Sequence, residues 1–194
     1  MVELHIAQQA DADALLSRDP FALLVGMLLD QQFPMERAFA GPHLLTTRLG
    51  SPGLDPAAIA DADPEQLAAM MAGPPAVHRY HTSMAARLQA LAAHVVQEYG
   101  GDTASIWTQA ADGAQLLARL RALPGFGDQK ARIFVALLGK QLGVRPAGWE
   151  RAAGAYAEPG HRSVADVVDE PTLQLVRDHK RAAKAAARAP AADR

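Results

Sequence analysis

The stretch LPGFGDQKARIF, from Leu123 to Phe134, brings a proline and two glycines together between two apolar segments. One helical apolar pattern ends at Leu123, and a second continues through Ile133, Phe134 and Leu137. Glycine permits backbone conformations that other residues resist, and a turn that leads into a helix offers free N–H groups to an anion. The stretch therefore predicts two helices joined by a tight turn, which is either a plain connector or a grip for a phosphate.

Helix-starting signals recur along the rest of the chain. An aspartate followed by proline is typical of an N-cap and first helical residue, and the pair occurs at Asp19-Pro20, Asp55-Pro56 and Asp63-Pro64. The segment from Phe21 to Leu29 is apolar nearly all round, which predicts a buried central helix. Pro34 and Pro42 are expected to break up the segment that follows. No alternating strand pattern is evident, so the predicted fold class is all-α.

Composition excludes several classes of function. The 194 residues carry a formal charge of −2, so any nucleic-acid binding must come from a local basic patch. There is no cysteine, which excludes disulfides, thiolate metal sites and cysteine-ligated iron–sulfur clusters. The first residues lack the pattern of a signal peptide, and the longest apolar run is too short to span a bilayer. We therefore expect a cytoplasmic protein.

Three segments resemble one protein family. They are PFALLVGMLLDQQ (20–32), SMAARLQALAAHVVQEYGG (83–101) and LPGFGDQKARIF (123–134). In this order and at this spacing they resemble the helix-hairpin-helix (HhH-GPD) superfamily of base-excision DNA glycosylases, which includes endonuclease III and 3-methyladenine glycosylase II. The resemblance covers roughly residues 20–143. The absence of cysteine separates the chain from endonuclease III, which holds an iron–sulfur cluster.

The resemblance implies a two-lobed helical fold with double-stranded DNA in the groove between the lobes. Residues 20–138 would form a helical barrel lobe that contains the hairpin, and residues 1–19 with 139–194 would form the second lobe. The protein would be a monomer acting at the nucleoid of a bacterium. No cofactor is implied apart from a monovalent cation, Na⁺ or K⁺, at the hairpin backbone of Leu123 and Gly125.

The same resemblance implies DNA contacts in two loops. The hairpin amides of Gly125, Phe126 and Gly127 match positions that bind a backbone phosphate beside the lesion. Gln32, with Gln31 beside it, matches a glutamine that fills the gap left when a nucleotide leaves the duplex. The alternative for this pair of glutamines is a polar helix end in solvent.

One departure from the family concerns strand cleavage. Some members carry a lysine two residues after the second hairpin glycine, where it attacks the sugar and forms a Schiff base. That position is Gln129 here, and Lys130 is displaced from it by about a quarter turn of helix. We therefore expect no lyase activity, with Gln129 at the DNA and Lys130 as a phosphate contact or a solvated side chain.

A second departure concerns the catalytic carboxylate. The family has an aspartate at the start of the helix after the hairpin's second helix, where this chain reads LGVRPAGWERAAGAY (142–156). Glu150 is the only acid in that segment and becomes the first candidate, with a plain surface glutamate as the alternative. Asp30 is a second candidate that could face the base pocket, whereas Asp128 more simply serves the first turn of its helix.

Three further features have weaker functional claims. Trp149 could stack on a flipped base, but a position in the core is favoured. His78 and His81 lack a nearby carboxylate, so a surface or groove position is favoured over a metal site. The tail from Arg177 onward is basic, and it is either an arm on DNA or a solvated helix end.

The predicted function is base-excision DNA repair by a monofunctional DNA glycosylase. Such an enzyme flips a damaged or mispaired base and hydrolyses its N-glycosidic bond. One alternative is a non-catalytic helix-hairpin-helix DNA-binding protein that has lost the catalytic aspartate. A third class is a helical protein-interaction module whose hairpin never meets DNA.

Overall fold

The computed structural model describes residues 3–188, which fold into a set of packed short helices. Those residues contain eleven α-helices, two 3-10 helices and no strand, so the predicted all-α class is confirmed. The α-helices are α1 (Ala10–Arg18), α2 (Pro20–Leu29), α3 (Met35–Leu49), α4 (Pro56–Ala60), α5 (Pro64–Ala72), α6 (His81–Tyr99), α7 (Ser105–Thr108), α8 (Gly113–Ala122), α9 (Asp128–Gln141), α10 (Trp149–Ala153) and α11 (Glu170–Arg188). The 3-10 helices are Gly154–Tyr156 and Val164–Asp166.

No helix in the described range is long and apolar enough to cross a membrane. The last part of the predicted basic tail, residues 189–194, lies outside the described residues.

Aspartate caps begin several helices at the positions that the sequence predicts. The carboxylate of Asp19 accepts a hydrogen bond from Ala22 N at 3.0 Å, and Pro20 follows as the first helical residue. Asp55 and Asp63 cap α4 and α5 in the same way, so the three predicted Asp-Pro starts are confirmed. The second oxygen of Asp19 accepts from Leu54 N at 2.8 Å, which ties the start of α2 to the loop before α4.

Helix α2 is the centre of the fold. Every residue from Phe21 to Leu29 is buried, as its apolar pattern predicts. Gly26 allows the ring of Phe39 on α3 to approach so closely that a Cβ there would lie 2.6 Å from Phe39 Cδ1. Helix α2 is therefore closely packed up to its end at Leu29, and this packing fixes where the following residues begin.

The expected break at Pro42 is wrong, because α3 runs through it from Met35 to Leu49. Pro42 is buried, and the neighbouring Gly41 packs against Leu29 and Val77. A proline inside a helix costs one backbone hydrogen bond and introduces a steric conflict. Packing of α3 against α2 offsets that cost, which the local sequence pattern cannot indicate. Pro34 does precede the helix, as its N-cap residue.

Helices α8 and α9 form the predicted pair around the glycine turn, and α10 packs against α9. Trp149 is buried, as expected, and a Cβ on Gly139 would lie 2.4 Å from its ring. Arg132 Nη1 donates to Ala152 O at 2.8 Å and joins α9 to the end of α10. The division of the chain into a lobe over residues 20–138 and a second lobe stays a prediction.

Candidate functional site

The turn between α8 and α9 leaves two backbone N–H groups free. Phe126 N donates to Leu123 O at 3.0 Å and closes the turn. The N–H groups of Gly125 and Gly127 have no acceptor within residues 3–188. Gly127 is also the N-cap residue of the 14-residue helix α9, whose first N–H groups lack acceptors within the helix. The turn thus gathers free donors at the positive end of a helix dipole, which suits one anion.

Phe126 differs from the two glycines beside it. Its side chain is 5% exposed and packs edge-on against Phe134, with 6.1 Å between the ring centroids. Its amide is already used inside the turn. We therefore expect Phe126 to anchor the hairpin in the core, and we expect anion binding to fall to Gly125 and Gly127.

Gly125 brings the turn into direct contact with the end of α2. Its φ of +82° lies in the left-handed region, which glycine adopts easily and other residues resist. A Cβ on Gly125 would lie 2.5 Å from Leu28 Cδ1. The absence of a side chain at this position therefore lets the hairpin lie beside the loop that follows α2.

An open cavity of about 510 Å³ lies between the hairpin and this loop. Its lining residues are Met27, Asp30, Gln31, Gln32, Phe33, Gly125, Gly127, Gln129, Lys130, Ile133 and Lys180. The cavity unites the two loops for which DNA contacts are predicted, together with the candidate acid Asp30. Its volume lies within the range of pockets that hold small molecules, so the cavity has room for a single nucleobase.

Lys130 turns into this cavity from the first turn of α9. Its Nζ donates to Leu28 O at 2.8 Å, so the side chain crosses from the hairpin to the end of α2. Burial lowers the pKa of Lys130 to about 8, although the nearby negative charge of Asp30 opposes that shift. The expectation of a solvated side chain is therefore wrong, because a backbone carbonyl of the core holds the ammonium group. A phosphate contact by Lys130 stays a prediction.

The carboxylate of Asp30 also lines the cavity. It is the C-cap residue of α2, its side chain is 13% exposed, and Lys180 Nζ lies 3.9 Å from its Oδ2. Burial raises the pKa of Asp30, while the positive charges of Lys180 and Lys130 pull the pKa back down. A helix C-terminus also disfavours an anion. A carboxyl group held in a cleft against these costs is a candidate for chemistry.

His78 supports the loop that carries Gln31. The ring is fully buried, its Nδ1 accepts from Tyr80 N at 3.0 Å, and its Nε2 lies 3.1 Å from Gln31 O. Because Nδ1 accepts, the neutral ring carries its proton on Nε2 and donates it to Gln31 O. Burial lowers the pKa of His78, which favours this neutral form. The expected surface or groove position is therefore wrong, since the ring holds the loop from inside the core.

The two glutamines of this loop differ in their surroundings. Gln31 Oε1 accepts from Arg87 Nη1 at 2.7 Å, which holds that side chain in place. Gln32 is exposed and has a φ of +53°, which residues other than glycine seldom adopt. Strained backbone of this kind occurs at functional loops. The gap-filling role of Gln32 stays a prediction.

The remaining candidate residues lie at or beyond the edge of the cavity. Gln129 lines the cavity, and its Nε2 donates to Tyr156 Oη at 2.9 Å. Glu150 is exposed in the first turn of α10 and borders a separate depression. Asp128 is tied to two arginines, and their hydrogen bonds hold the pKa of its carboxyl below the usual range. A catalytic role for Glu150 stays a prediction, but of the two candidates only Asp30 lines the cavity.

Lys180 is a charged residue of this cavity that the sequence did not single out. It lies on α11, far along the chain from both loops, and no spacing rule connects it to Asp30. The basic composition of the tail from Arg177 was the only available signal.

The monovalent cation at the hairpin backbone stays a prediction. Within residues 3–188 no group of three or more His, Cys, Asp or Glu side chains is placed to hold a metal ion. The monovalent cation implied for the hairpin would depend on the carbonyl oxygens of Leu123 and Gly125. Leu123 O already accepts from Phe126 N, and a carbonyl oxygen has a second lone pair that remains for a cation. No chemical step proposed below depends on this ion.

Comparison with known proteins identifies the family of this chain. The sequence profile of the HhH-GPD superfamily of base excision DNA repair proteins matches residues 25–189. No curated protein and no solved structure gives a significant match to the chain. The matched range covers most of the chain and includes both the hairpin and the loop after α2, which line the cavity. The chain therefore belongs to the HhH-GPD superfamily of base excision DNA repair proteins.

Proposed function

We propose that this protein is a monofunctional DNA glycosylase that removes a flipped damaged or mispaired base from double-stranded DNA. One observation carries the proposal: the Asp30 carboxylate and the free amides of Gly125 and Gly127 border the same cavity of about 510 Å³. Base removal requires a group that holds the DNA backbone and a group that acts on the flipped nucleotide. The free amides can hold a phosphate, and the neighbouring carboxylate of perturbed pKa can act on the nucleotide in the pocket.

In this proposal the hairpin binds the DNA backbone, and the loop after α2 fills the gap in the duplex and contacts the flipped nucleotide. One backbone phosphate accepts hydrogen bonds from the amides of Gly125 and Gly127, and Lys130 adds positive charge nearby. Gln32 occupies the gap in the duplex, which offsets part of the few kcal/mol that unstacking a base costs. The contacts of the hairpin are to the DNA backbone, so they position the duplex without reading its sequence.

Asp30 acts on the sugar of the flipped nucleotide. The C1′–N bond breaks, its electron pair leaves with the base, and the base takes a proton from water. The carboxylate of Asp30 opposes the positive charge that develops on the sugar, in a partly buried site where such stabilisation is strong. A water oxygen then bonds to C1′ and Asp30 accepts one of its protons, a role that a raised carboxyl pKa favours. Asp30 passes this proton to the hydroxide that was left when water protonated the base, so the carboxylate is regenerated and one water is consumed overall.

Base release from defined duplexes tests this proposal. Duplexes that carry an alkylated, a deaminated or an oxidised base are incubated with the protein and then treated with alkali, which cleaves abasic sites. We expect D30N to lower base release by about 100-fold or more, the factor that a positioned acid–base group contributes. E150Q, a matched change from carboxylate to amide outside the cavity, is expected to retain activity. Loss in E150Q with retention in D30N would transfer the role to Glu150.

The alternative of a non-catalytic DNA-binding protein predicts a different result from the same assay. Binding would persist and weaken steeply with salt, because phosphate contacts release counterions. No base would be released from any of the duplexes. That outcome would refute the catalytic proposal while leaving the role of the hairpin intact.

The position of Lys130 favours a second candidate function, strand cleavage through its amine. With a pKa of about 8, roughly a tenth of the amine is neutral at pH 7. A neutral amine can bond to the C1′ aldehyde of an abasic sugar, and loss of water then gives an imine. Borohydride reduces an imine to a stable protein–DNA adduct that migrates slowly on a denaturing gel. The monofunctional proposal predicts no adduct, and an adduct that disappears in K130A would replace it with lyase chemistry.

A further inference from the structure

Helix α11 reaches the cavity through two ion pairs on one of its faces. Arg177 Nη2 lies 2.5 Å from Glu36 Oε1, and Lys180 Nζ lies 3.9 Å from Asp30 Oδ2. Residues three apart share a helix face, so both pairs form on the same side of α11. The C-terminal helix is thereby fastened to Glu36 in the first turn of α3 and to Asp30 at the end of α2, and Lys180 becomes part of the cavity wall.

We propose that Lys180 is a positioning residue that keeps Asp30 ionised, and that the pair Arg177–Glu36 holds α11 where Lys180 can do so. The inference rests on the proposed function, in which the carboxylate of Asp30 acts on the sugar. It assigns the C-terminal helix a part in the site, beyond the hairpin and the loop after α2.

The charged groups around Asp30 come from three different helices. Lys180 on α11 and Lys130 on α9 favour the carboxylate, whereas Glu36 in the first turn of α3 opposes it. The ammonium of Lys130 is shared with Leu28 O, to which it donates a hydrogen bond. Lys180 Nζ makes no other ion pair and no hydrogen bond within the described chain, and its side chain is 45% exposed. The carboxylate of Asp30 accepts no hydrogen bond from residues 3–188, so burial, which raises its pKa, and these charges together decide its protonation.

Removal of Lys180 should therefore shift Asp30 toward the protonated acid. Burial and the negative charge of Glu36 would remain, with Lys130 as the one opposing cation that faces Asp30 within residues 3–188. A protonated carboxyl group neither opposes positive charge on the sugar nor accepts a proton from water. The acid limb of the pH profile of base release should consequently move to higher pH.

The pH profile of base release in K180A tests this inference. Rates are measured in single turnover with the protein in saturating excess over the duplex, so that weaker DNA binding does not enter. On the acid limb we expect K180A to be slower by about two- to fivefold, the factor that a partly exposed ion pair contributes. K180R should restore the limb, because it restores the charge. K184A removes the same charge one turn later on α11, from an exposed position outside the cavity, and should leave the limb in place.

A titration of the Asp30 carboxyl carbon by NMR separates this inference from the proposed function. The titration is followed in the unaltered protein and in K180A, with D30N to assign the signal. A midpoint that rises in K180A supports the inference even if the protein releases no base. An unchanged midpoint together with an unchanged acid limb overturns the inference, and base release by the unaltered protein would still support the proposed function.

Discussion

The two hairpin glycines are expected to respond differently when each is replaced by alanine. Gly125 has a φ of +82°, and an added Cβ would meet Leu28 Cδ1 at 2.5 Å. Gly127 has a φ of −79°, and an added Cβ would meet nothing within 4 Å. The variants G125A and G127A therefore place the same methyl group in a crowded and in an open position of one turn.

The structure sets the magnitude expected for G125A. A left-handed backbone costs a residue with a Cβ about 1–2 kcal/mol. Leu28 is fully buried, so its side chain has little room to withdraw, and overpacking of this kind costs about 1–3 kcal/mol. We expect G125A to lower the free energy of unfolding by about 2–5 kcal/mol, measured by urea denaturation.

G127A is the matched control for stability and the sharper test of DNA binding. Alanine is a poorer N-cap than glycine, but it also restricts the unfolded chain, and these effects of up to about 1 kcal/mol oppose each other. The free energy of unfolding should therefore change by less than about 0.5 kcal/mol. The methyl group would project into open space next to the free amide, where we expect it to crowd a bound phosphate. Losing one hydrogen bond to a charged group costs about 1.5–3 kcal/mol, so affinity should fall about tenfold or more.

Fluorescence anisotropy with a labelled duplex containing an abasic site measures that affinity at fixed salt. An unaltered affinity in G127A, in a protein that unfolds at the usual urea concentration, would show that the hairpin amides do not bind phosphate. Equal stability of G125A and G127A would refute the argument that the turn packs directly on Leu28.

Three further changes test the surroundings of the cavity. D30N should make the protein more stable than the unaltered chain at pH 7, because the raised pKa of Asp30 means that the fold disfavours its charged form. This gain in stability should vanish below about pH 4, where the carboxyl is protonated in both the folded and the unfolded state. Urea denaturation at a series of pH values measures the gain. H78A should lower the free energy of unfolding by about 2–4 kcal/mol, since it leaves a void and an unpaired Gln31 O, and calorimetry can check this. In the unaltered protein the lowered pKa of His78 means that the folded state binds fewer protons than the unfolded one, so its contribution to stability should fall as pH drops below about 6.5. G139A should cost about 1–3 kcal/mol in urea denaturation, because its Cβ would meet the buried ring of Trp149 at 2.4 Å.

Features that depend on neighbouring residues could be predicted from the amino-acid sequence. The caps at Asp19, Asp55 and Asp63 follow from side chains that bond to amides a few residues away, and the structure has all three. The buried helix α2 follows from an apolar run, and the glycine turn follows from the residues between two helical patterns. Family membership also depends on these local segments in their order along the chain.

Features that depend on contacts between distant segments could not be predicted in this way. Lys130 was expected to be either a phosphate contact or a solvated side chain, and the carbonyl at the end of α2 that holds its ammonium group could not be foreseen. His78 was expected at the surface or in the groove, and Pro42 was expected to break a helix; packing against other elements decided both. The pairing of Asp30 with Lys180 joins side chains from α2 and α11.

The glycine turn and its free amides are consequences of local backbone preferences, which act over a few residues and are therefore visible in the sequence. The charge environment of the cavity is a consequence of Coulomb forces and desolvation, which depend on distance through space rather than along the chain. Only the folded chain brings Lys130, Lys180 and Glu36 around Asp30, and the protonation of that carboxyl depends on their arrangement.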